Sequence, residues 1–328
     1  MKRIFYFLLI TLAFIGIPLI VFYLWASSGT SEESAISGIK QLPNTAQRTE
    51  FPGDSTVSIM TYNIGYLSGM TNNLSVKANK EFHDANMAVM KDYLKGNQPD
   101  IIAFQEIDYG SKRSFETDQE QEIAQGIYPF AARAVNWNKN YLPFPHWPIS
   151  VHFRKVISGQ SVISKFPITE QQIDTLSRVQ DEPFYYRDFY LNRLAQICTL
   201  KVGNQQIMVI NVHLEAFDRD TRQIHSERVL KLFQDYSQKF PTIIVGDFNS
   251  DPNEDESTIR SFFDQGIASA AVQGDINLFT YPADKPDVRI DYIFYSPHFE
   301  LLESKVVKEV GDISDHLPVY AKLKLKPF

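Results

Sequence analysis

Cysteine is almost missing from this chain: Cys198 is the only one in 328 residues. A single thiol excludes an intramolecular disulfide framework and every zinc or iron–sulfur site built on several cysteines. It stands in the apolar run 194–200 (LAQICTL), where a small buried hydrophobe is the expected role. Positive charge is also short, with 32 Lys and Arg against 39 Asp and Glu, a net charge of −7. That balance argues against a basic groove gripping nucleic acid through many phosphates. It leaves room for local positive charge in a cleft. What is plentiful is apolar: 44% of residues are hydrophobic and 13% aromatic, enough for a substantial core, which excludes wholesale disorder. The length admits one large or two small domains.

Toward the N-terminus charge vanishes altogether. Lys2 and Arg3 precede an uncharged run over 4–25 (IFYFLLITLAFIGIPLIVFYLW), 22 residues long. At about 1.5 Å per residue a helix of this length covers roughly 33 Å, enough to cross a bilayer core. Gly16 and Pro18, poor in a soluble helix, are tolerated in a membrane span. The apolar core of a cleaved signal peptide runs to about 7–15 residues, shorter than this one, although Ala26-Ser27-Ser28 offers a small-residue cleavage site. Tyr23 and Trp25 suit an interfacial aromatic anchor. The expectation is a transmembrane signal anchor over 4–25, with 1–3 cytoplasmic and the remainder facing outward; cleavage would instead give a secreted protein. Without 1–25 the charges stand at 30 against 39, or −9.

Residues 26–53 are rich in Ser, Thr, Gly, Gln and Glu with no apolar period, and read as a flexible linker. From 54 to 328 the chain reads as one continuous domain whose strands keep ending at polar residues. Residues 57–62 (VSIMTY) form a buried-type strand stopping at Asn63. The stretch 81–95 carries Phe82, Met87, Met90 and Leu94 at helical spacing, closed by Gly96, Asn97 and Pro99. A short strand over 101–104 ends in Gln105-Glu106, and 206–212 (QIMVINV) ends at His213. A helix over 221–238 is expected to bury Ile224, Leu230, Phe233 and Tyr236; 242–245 then leads to Gly246-Asp247-Phe248-Asn249. Residues 290–295 bracket Asp291, and an alternating half-exposed strand follows Asp315-His316. Alternating and fully apolar strands with few helices fit a sandwich of two sheets flanked by helices.

Any one of Asn63, Glu106, His213, Asp247, Asn249, Asp291, Asp315 and His316 has an ordinary explanation. An Asp or Asn after a strand usually serves the turn, and a His among apolar residues is usually a satisfied core side chain. Eight in order, dominated by carboxylates and carboxamides with two histidines, form a pattern. Hard oxygen donors with few imidazoles suit Mg²⁺ or Mn²⁺ better than zinc.

These residues carry a family resemblance. The chain resembles the endonuclease/exonuclease/phosphatase (DNase I-like) superfamily, through 61–63 (TYN), 100–106 (DIIAFQE), 159–168 (GQSVISKFPI), 211–214 (NVHL), 246–250 (GDFNS), 289–292 (RIDY) and 314–318 (SDHLP). The short motifs are weak singly, but they fall in the family's order and span 57–319. The resemblance implies an α/β fold, a four-layer α/β sandwich of two packed mixed β-sheets flanked by helices, and metal-assisted cleavage of a phosphate ester. It implies Glu106 as principal metal ligand, with Asn63 and Asp315 near the same ion. It implies His316 as the base activating water, Asp291 as the carboxylate orienting it, and Asp247 with Asn249 at the water and scissile phosphate. His213 would bind the phosphate and stabilise charge on its oxygens. A His followed by Leu214 is closer to sphingomyelinases, 5-phosphatases and DNase I-like enzymes than to abasic-site endonucleases.

Substrate choice falls to the loops. In 108–114 (DYGSKRS), Lys112 and Arg113 follow the metal glutamate and are candidates for an anionic group, or members of an ordinary solvated turn. Residues 136–153 hold Trp137, Tyr141, Phe144 and Trp147 with three prolines, as a substrate wall, a membrane-inserting loop or a satellite core. Arg187 and Arg193 flank Phe184-Tyr185-Tyr186 as further phosphate contacts. The expected protein is a monomeric Mg²⁺- or Mn²⁺-dependent phosphoester hydrolase at a membrane, outside the cytoplasm. It would prefer a small or lipid-linked phosphoester to nucleic acid, with an extracytoplasmic DNase I-like nuclease as the alternative.

Overall fold

Near-continuous runs of Val, Ile, Met and Phe suit strands covered on both faces, and such runs supply the centre of both sheets. A computed structural model describes residues 2–30, 36–42, 55–180, 182–270 and 278–327. In chain order the strands are β1 (Gly38–Gln41), β2 (Thr56–Asn63), β3 (Ile101–Asp108), β4 (Phe130–Leu142), β5 (Arg154–Ser164), β6 (Ile168–Thr175) and β7 (Leu194–Val202). They continue with β8 (Gln205–His213), β9 (Thr242–Asp247), β10 (Ala268–Ser269), β11 (Asp291–Tyr295), β12 (Phe299–Val306) and β13 (Val319–Leu325). One sheet runs β1-β4-β5-β3-β2-β13-β12 and the other β10-β11-β9-β8-β7-β6. The pairs β2/β3 and β8/β9 are parallel and the remaining pairs antiparallel, so both sheets are mixed.

Between the sheets lies a core that includes Val57, Ile59, Val162, Phe166, Val209, Ile243 and Leu323. Helices cover the outer faces. Helix α2 (Lys80–Gly96) lays Met87, Met90 and Leu94 on the first sheet, and its N-terminus is capped by Asn79, whose side chain accepts the Phe82 N–H. Helix α5 (Arg219–Ser237) lays Val229, Leu230 and Phe233 on the second, capped by Asp218 through the Thr221 N–H. Short helices α3 (Gln119–Ala124), α4 (Phe184–Arg187) and α6 (Arg260–Asp264) fill in between. This is the expected arrangement of two packed mixed sheets flanked by helices. Two facing residues depart from it: Phe82 and Ile224 are exposed, because each sits one step off the apolar stripe of its helix.

The N-terminal stretch forms one helix, α1 (Lys2–Ser27), with most of its described apolar side chains exposed. The side chains of residues 2, 5 and 8–10 lie outside the described set. Among the described residues no helix is long and apolar enough to cross a membrane, so the transmembrane anchor expected over 4–25 is not shown. The expected linker is corrected in part. Gly38–Gln41 pairs antiparallel with β4, with Ile36 and Leu42 packed on the core beneath the first sheet and the Ser37 hydroxyl accepting the Val135 N–H. Its residues 31–35 and 43–53 lie outside the described ones.

Candidate active site

The polar residues that end the strands meet at one end of the sandwich. Asn63 closes β2, His213 closes β8 and Asp247 closes β9, with His213 and Asp247 side by side in the parallel register. Asp291 opens β11 directly opposite Asp247 in the antiparallel register. Asp315 and His316 precede β13, whose first residue Val319 pairs with Thr61 on β2. Glu106 arrives differently. The β3–β5 ladder slips between Phe104 and Ile107, and Glu106 takes a left-handed backbone at φ 51°. A bulge of this kind re-aims a side chain at the expense of regular pairing. Asn249 is likewise left-handed, at φ 50°.

Gly246 brings β9 close enough for Asp247 to enter the cluster. Its φ is +142°, and a Cβ there would lie 1.9 Å from the Val212 carbonyl oxygen. Only glycine permits that approach.

The distances show one network. His316 Nδ1 lies 2.9 Å from Asp291 Oδ2, and its Nε2 lies 3.8 Å from Asp247 Oδ2. Asn63 Nδ2 donates to Asp247 Oδ2 at 3.0 Å and to Glu106 Oε1 at 3.4 Å, and stands 3.4 Å from His316 Nε2. His213 Nε2 is 3.5 Å from Asp247 and 3.9 Å from Glu106. Asn249 donates its backbone N–H to Asp247 Oδ1 at 2.9 Å, while its side chain donates to the Leu214 carbonyl. Asp315 joins through Asn72, whose Nδ2 donates to Asp315 at 3.1 Å and Glu106 at 3.3 Å. All eight expected residues are therefore in one cluster.

The electrostatics follow from burial and mutual charge. Burial disfavours protonation of His316, but Asp291 and Asp247 overcome it and hold its pKa well above the usual imidazole value. His213 goes the other way, depressed well below that value by burial and by the charges of Arg193 and His316. Burial raises Asp247, opposed by His316 and reinforced by Asp291. Asp315 is also raised by burial, with His316 opposing and Glu106 adding to it. The two displacements are opposite: the carboxylates favour the imidazolium that His316 becomes on taking a proton, and burial favours the neutral ring at His213.

The donor set fits a hard divalent cation. Asp247, Asp291 and His316 offer ligand atoms that all lie within 4.8 Å of one another, and Asp291 Oδ1 is buried with no partner. Glu106 and Asp315 add two carboxylates bridged by Asn72, and Asn63 links Glu106 to Asp247. Carboxylate and carboxamide oxygens suit Mg²⁺ or Mn²⁺.

The four basic candidates separate, with Arg187 exposed on α4. Arg193 reaches the cluster: it is buried, its charge acts on Glu106 and His213, its Nε stands 3.6 Å from Glu215, and its Nη1 has no hydrogen-bond partner. Arg113 is corrected as a free substrate arm. Its Nε and Nη2 clamp Asp108 at 3.0 and 2.9 Å, and its guanidinium lies 3.7 Å from the Tyr66 ring, because a buried cation needs its charge matched. Only Nη1 keeps no partner. Lys112 is corrected too: it is exposed, turned to Glu116 at 3.0 Å, and lines a neighbouring groove. The aromatic loop divides in the same way. Trp137 and Phe144 pack in a satellite core with Tyr66 and Phe153, whereas Trp147 is exposed.

Two members of the site carry no legible sequence signal, and a third lies in the 314–318 stretch without an assigned role. Asn72 sits in an unpatterned polar loop. Tyr281 lies over the His316 ring with centroids 5.0 Å apart. The Ser314 hydroxyl fixes the Asp315-His316 turn by donating to the Asn63 carbonyl at 2.8 Å.

Comparison with known proteins agrees with this architecture. No curated protein matches the chain. Among solved structures, a protein of the endonuclease/exonuclease/phosphatase type from Beutenbergia cavernae is similar with a TM-score of 0.58 and 19% identity, over 83% of this chain and 72% of that one. A mannosyl-6-phosphatase from Bacteroides thetaiotaomicron is similar at 0.56 and 19%, over 81% and 99%. The human Nocturnin catalytic domain with bound sulfate is similar at 0.57 and 18%, over 90% and 100%. At these identities the likeness shows the fold. The sequence itself matches the family model of the Endonuclease/Exonuclease/phosphatase family over residues 60–316, which takes in seven of the strands' polar termini from Asn63 to Asp315 and ends on His316. By that match, and by the site assembled inside it, this chain belongs to the endonuclease/exonuclease/phosphatase family.

Proposed function

We propose that this protein is a divalent-metal-dependent phosphoester hydrolase that acts at a membrane on a small or lipid-linked phosphoester. The observation that carries this reading is the His316–Asp291 pair at 2.9 Å, standing in one cluster with Glu106, Asn63, Asp247 and His213. Because His316 Nδ1 and Asp291 are committed to each other, the cation is assigned to Glu106, Asn63 and Asp315. When bound, Mg²⁺ or Mn²⁺ supplies Lewis-acid polarisation of the phosphoryl oxygens and a positive charge beside the leaving oxygen.

His316 takes the proton of the attacking water at Nε2, and Asp291 at Nδ1 fixes the ring and stabilises the imidazolium that forms. Asn63 and Asp247, within reach of Nε2, orient that water with Asn249 beside them. His213, kept neutral by burial and its cationic neighbours, donates a hydrogen bond to a phosphoryl oxygen. Arg193 Nη1 provides the positive charge that faces the phosphate as negative charge builds.

The substrate reading rests on charge and position. The chain is acidic, and of the two buried arginines among the described residues whose charge acts on Glu106, Arg113 is clamped by Asp108 and Arg193 keeps a free Nη1, which suits one phosphate better than a polymer. The uncharged run 4–25 supports a reading in which the domain stands beside lipid on the extracytoplasmic side. Tethering raises the effective concentration at that surface into roughly the millimolar range. The test compares kcat/KM at physiological salt on duplex DNA, a phospholipid in vesicles and soluble phosphoesters. A preference for either of the last two is expected. If DNA is favoured by more than about tenfold, or about 1.4 kcal/mol of transition-state preference, a DNase I-like nuclease replaces this reading.

A further inference from the structure

Among the described residues outside α1, five large apolar side chains are between 59% and 81% exposed: Trp147, Ile149, Phe184, Tyr185 and Phe217. One such residue needs no explanation. These five occupy three loops that are tied together. Trp147 and Ile149 lie in the β4–β5 connection, Phe184 and Tyr185 in α4, and Phe217 four residues past His213. Trp137 Nε1 at the base of the first loop donates to the Phe189 carbonyl of the second at 2.7 Å. The Tyr190 hydroxyl donates to Glu215 at 3.0 Å, and Glu215 in turn accepts the Phe217 N–H at 3.0 Å. The apolar residues thus stand on one assembly beside the catalytic cleft.

The end of α1 is seated in that same assembly. Tyr23 packs edge-on against Phe184 and Phe189, with ring centroids 6.1 and 5.6 Å away, and its hydroxyl donates to Asp188. Phe22 and Trp25 lie 5.6 and 6.5 Å from the Tyr141 ring. Lys139 and Asn140 hold the last turn through the Ser27 carbonyl at 2.8 Å and the Ser28 hydroxyl at 3.0 Å. The domain is therefore oriented by α1, with the exposed residues on the loops that grip it.

A groove of about 490 Å³ continues from the first loop. Phe82, Leu74 and Phe153 line it, together with Lys77, Lys112 and Arg154, and it reaches Tyr66, three residues beyond Asn63. Apolar walls with cations suit an amphiphile carrying an anionic group.

We infer that Trp147, Ile149, Phe184, Tyr185 and Phe217 form an interfacial lip that enters the lipid bilayer surface around α1 and turns the catalytic cleft and its groove toward phosphoesters held in that surface. Aromatic residues with polar tips are favoured at that depth, and the lip continues the apolar surface of the helix it grips. Exposed Arg187, on the same short helix, meets anionic headgroups. The inference rests on the membrane placement proposed above and does not depend on which phosphoester is cleaved.

The test uses the full chain in phosphatidylcholine–phosphatidylglycerol vesicles, with an environment-sensitive fluorophore on Ile149→Cys, Phe184→Cys, Phe14→Cys or Lys95→Cys. Cys198 is buried and its thiol is pushed up in pKa, so the introduced cysteine takes the label. Lys95 is the distal control, in the last turn of α2, which leads into the start of β3, the end away from Glu106. The lip positions should be quenched by spin-labelled lipid at least threefold more than Lys95 and be shielded from iodide. If Phe14 is lipid-quenched but Ile149 and Phe184 are as open to iodide as Lys95, the lip is wrong and the membrane placement stands. Shielding from both quenchers at Ile149 and Phe184 points to a protein contact and also overturns it. If Phe14 also escapes lipid quenching, the membrane placement fails and takes the lip with it.

Discussion

In the proposed reaction His316 concentrates the chemistry in one side chain. A ring bonded to Asp291 at Nδ1 presents only Nε2 to the cleft, 3.4 Å from Asn63 and 3.8 Å from Asp247. His316→Ala should lower turnover about 10²- to 10⁴-fold, the usual range for a general base, with the melting temperature nearly unchanged. Steady-state rates alongside thermal denaturation would check this; near-wild-type turnover would remove His316 from the mechanism. The residue scale is also where the sequence was least complete. The eight residues were legible because each borders an apolar run with a carboxylate, carboxamide or imidazole. Asn72 and Tyr281 reach the site through tertiary contacts between distant loops, which no local pattern encodes, and the 314–318 stretch marked Ser314 without its bond to Asn63. Arg113 looked like a substrate arm because its partner Asp108, five residues back, reads as part of the same loop, 108–114.

At the scale of elements, the β8–α5 connection supports the site from behind. His225 on α5 accepts the Glu215 N–H at Nδ1 and faces the Ser177 carbonyl at 2.7 Å with Nε2, a pattern that only the neutral ring satisfies. Burial lowers its pKa, assisted by Arg193 and opposed by the bond to Ser177. A histidine with a depressed folded pKa binds fewer protons folded than unfolded. Its stabilising contribution is therefore complete above the unfolded value and is lost as pH falls below it, with a slope of up to about 1.4 kcal/mol per pH unit for one proton. His225→Gln should be less stable than wild type at pH 8, and the gap should narrow below about pH 6.5, the unperturbed histidine value. Chemical denaturation of both proteins across that range measures it; a constant gap would contradict the assignment. The long elements were readable because periodicity and caps agree: α2 follows Asn79 and α5 follows Asp218. Strand β1 was not, since four residues in a polar stretch carry no period and gain their place from pairing with β4.

The whole molecule holds its site on two sheets rather than on a metal. Buried apolar layers lie between and outside the sheets, independent of the polar end. Chelation should therefore abolish activity while leaving the cooperative melt in place, unlike a structural zinc domain whose folding energy is its metal binding. A melt that disappears in chelator would contradict this. The overall architecture was legible from composition and strand order. How α1 meets the domain was not, because Tyr23, Tyr141 and Phe189 come together only in three dimensions.

The central claim is metal-dependent hydrolysis of a phosphoester at the His316–Asp291 cluster. The direct measurement is product release by the purified full chain from a phosphomonoester, a phosphodiester, a phospholipid and DNA, after chelation and again after adding back Mg²⁺ or Mn²⁺. The account predicts turnover of at least one of them that is lost on chelation and restored by the metal. Turnover indifferent to chelator, or none on any of the four with either metal, would contradict it.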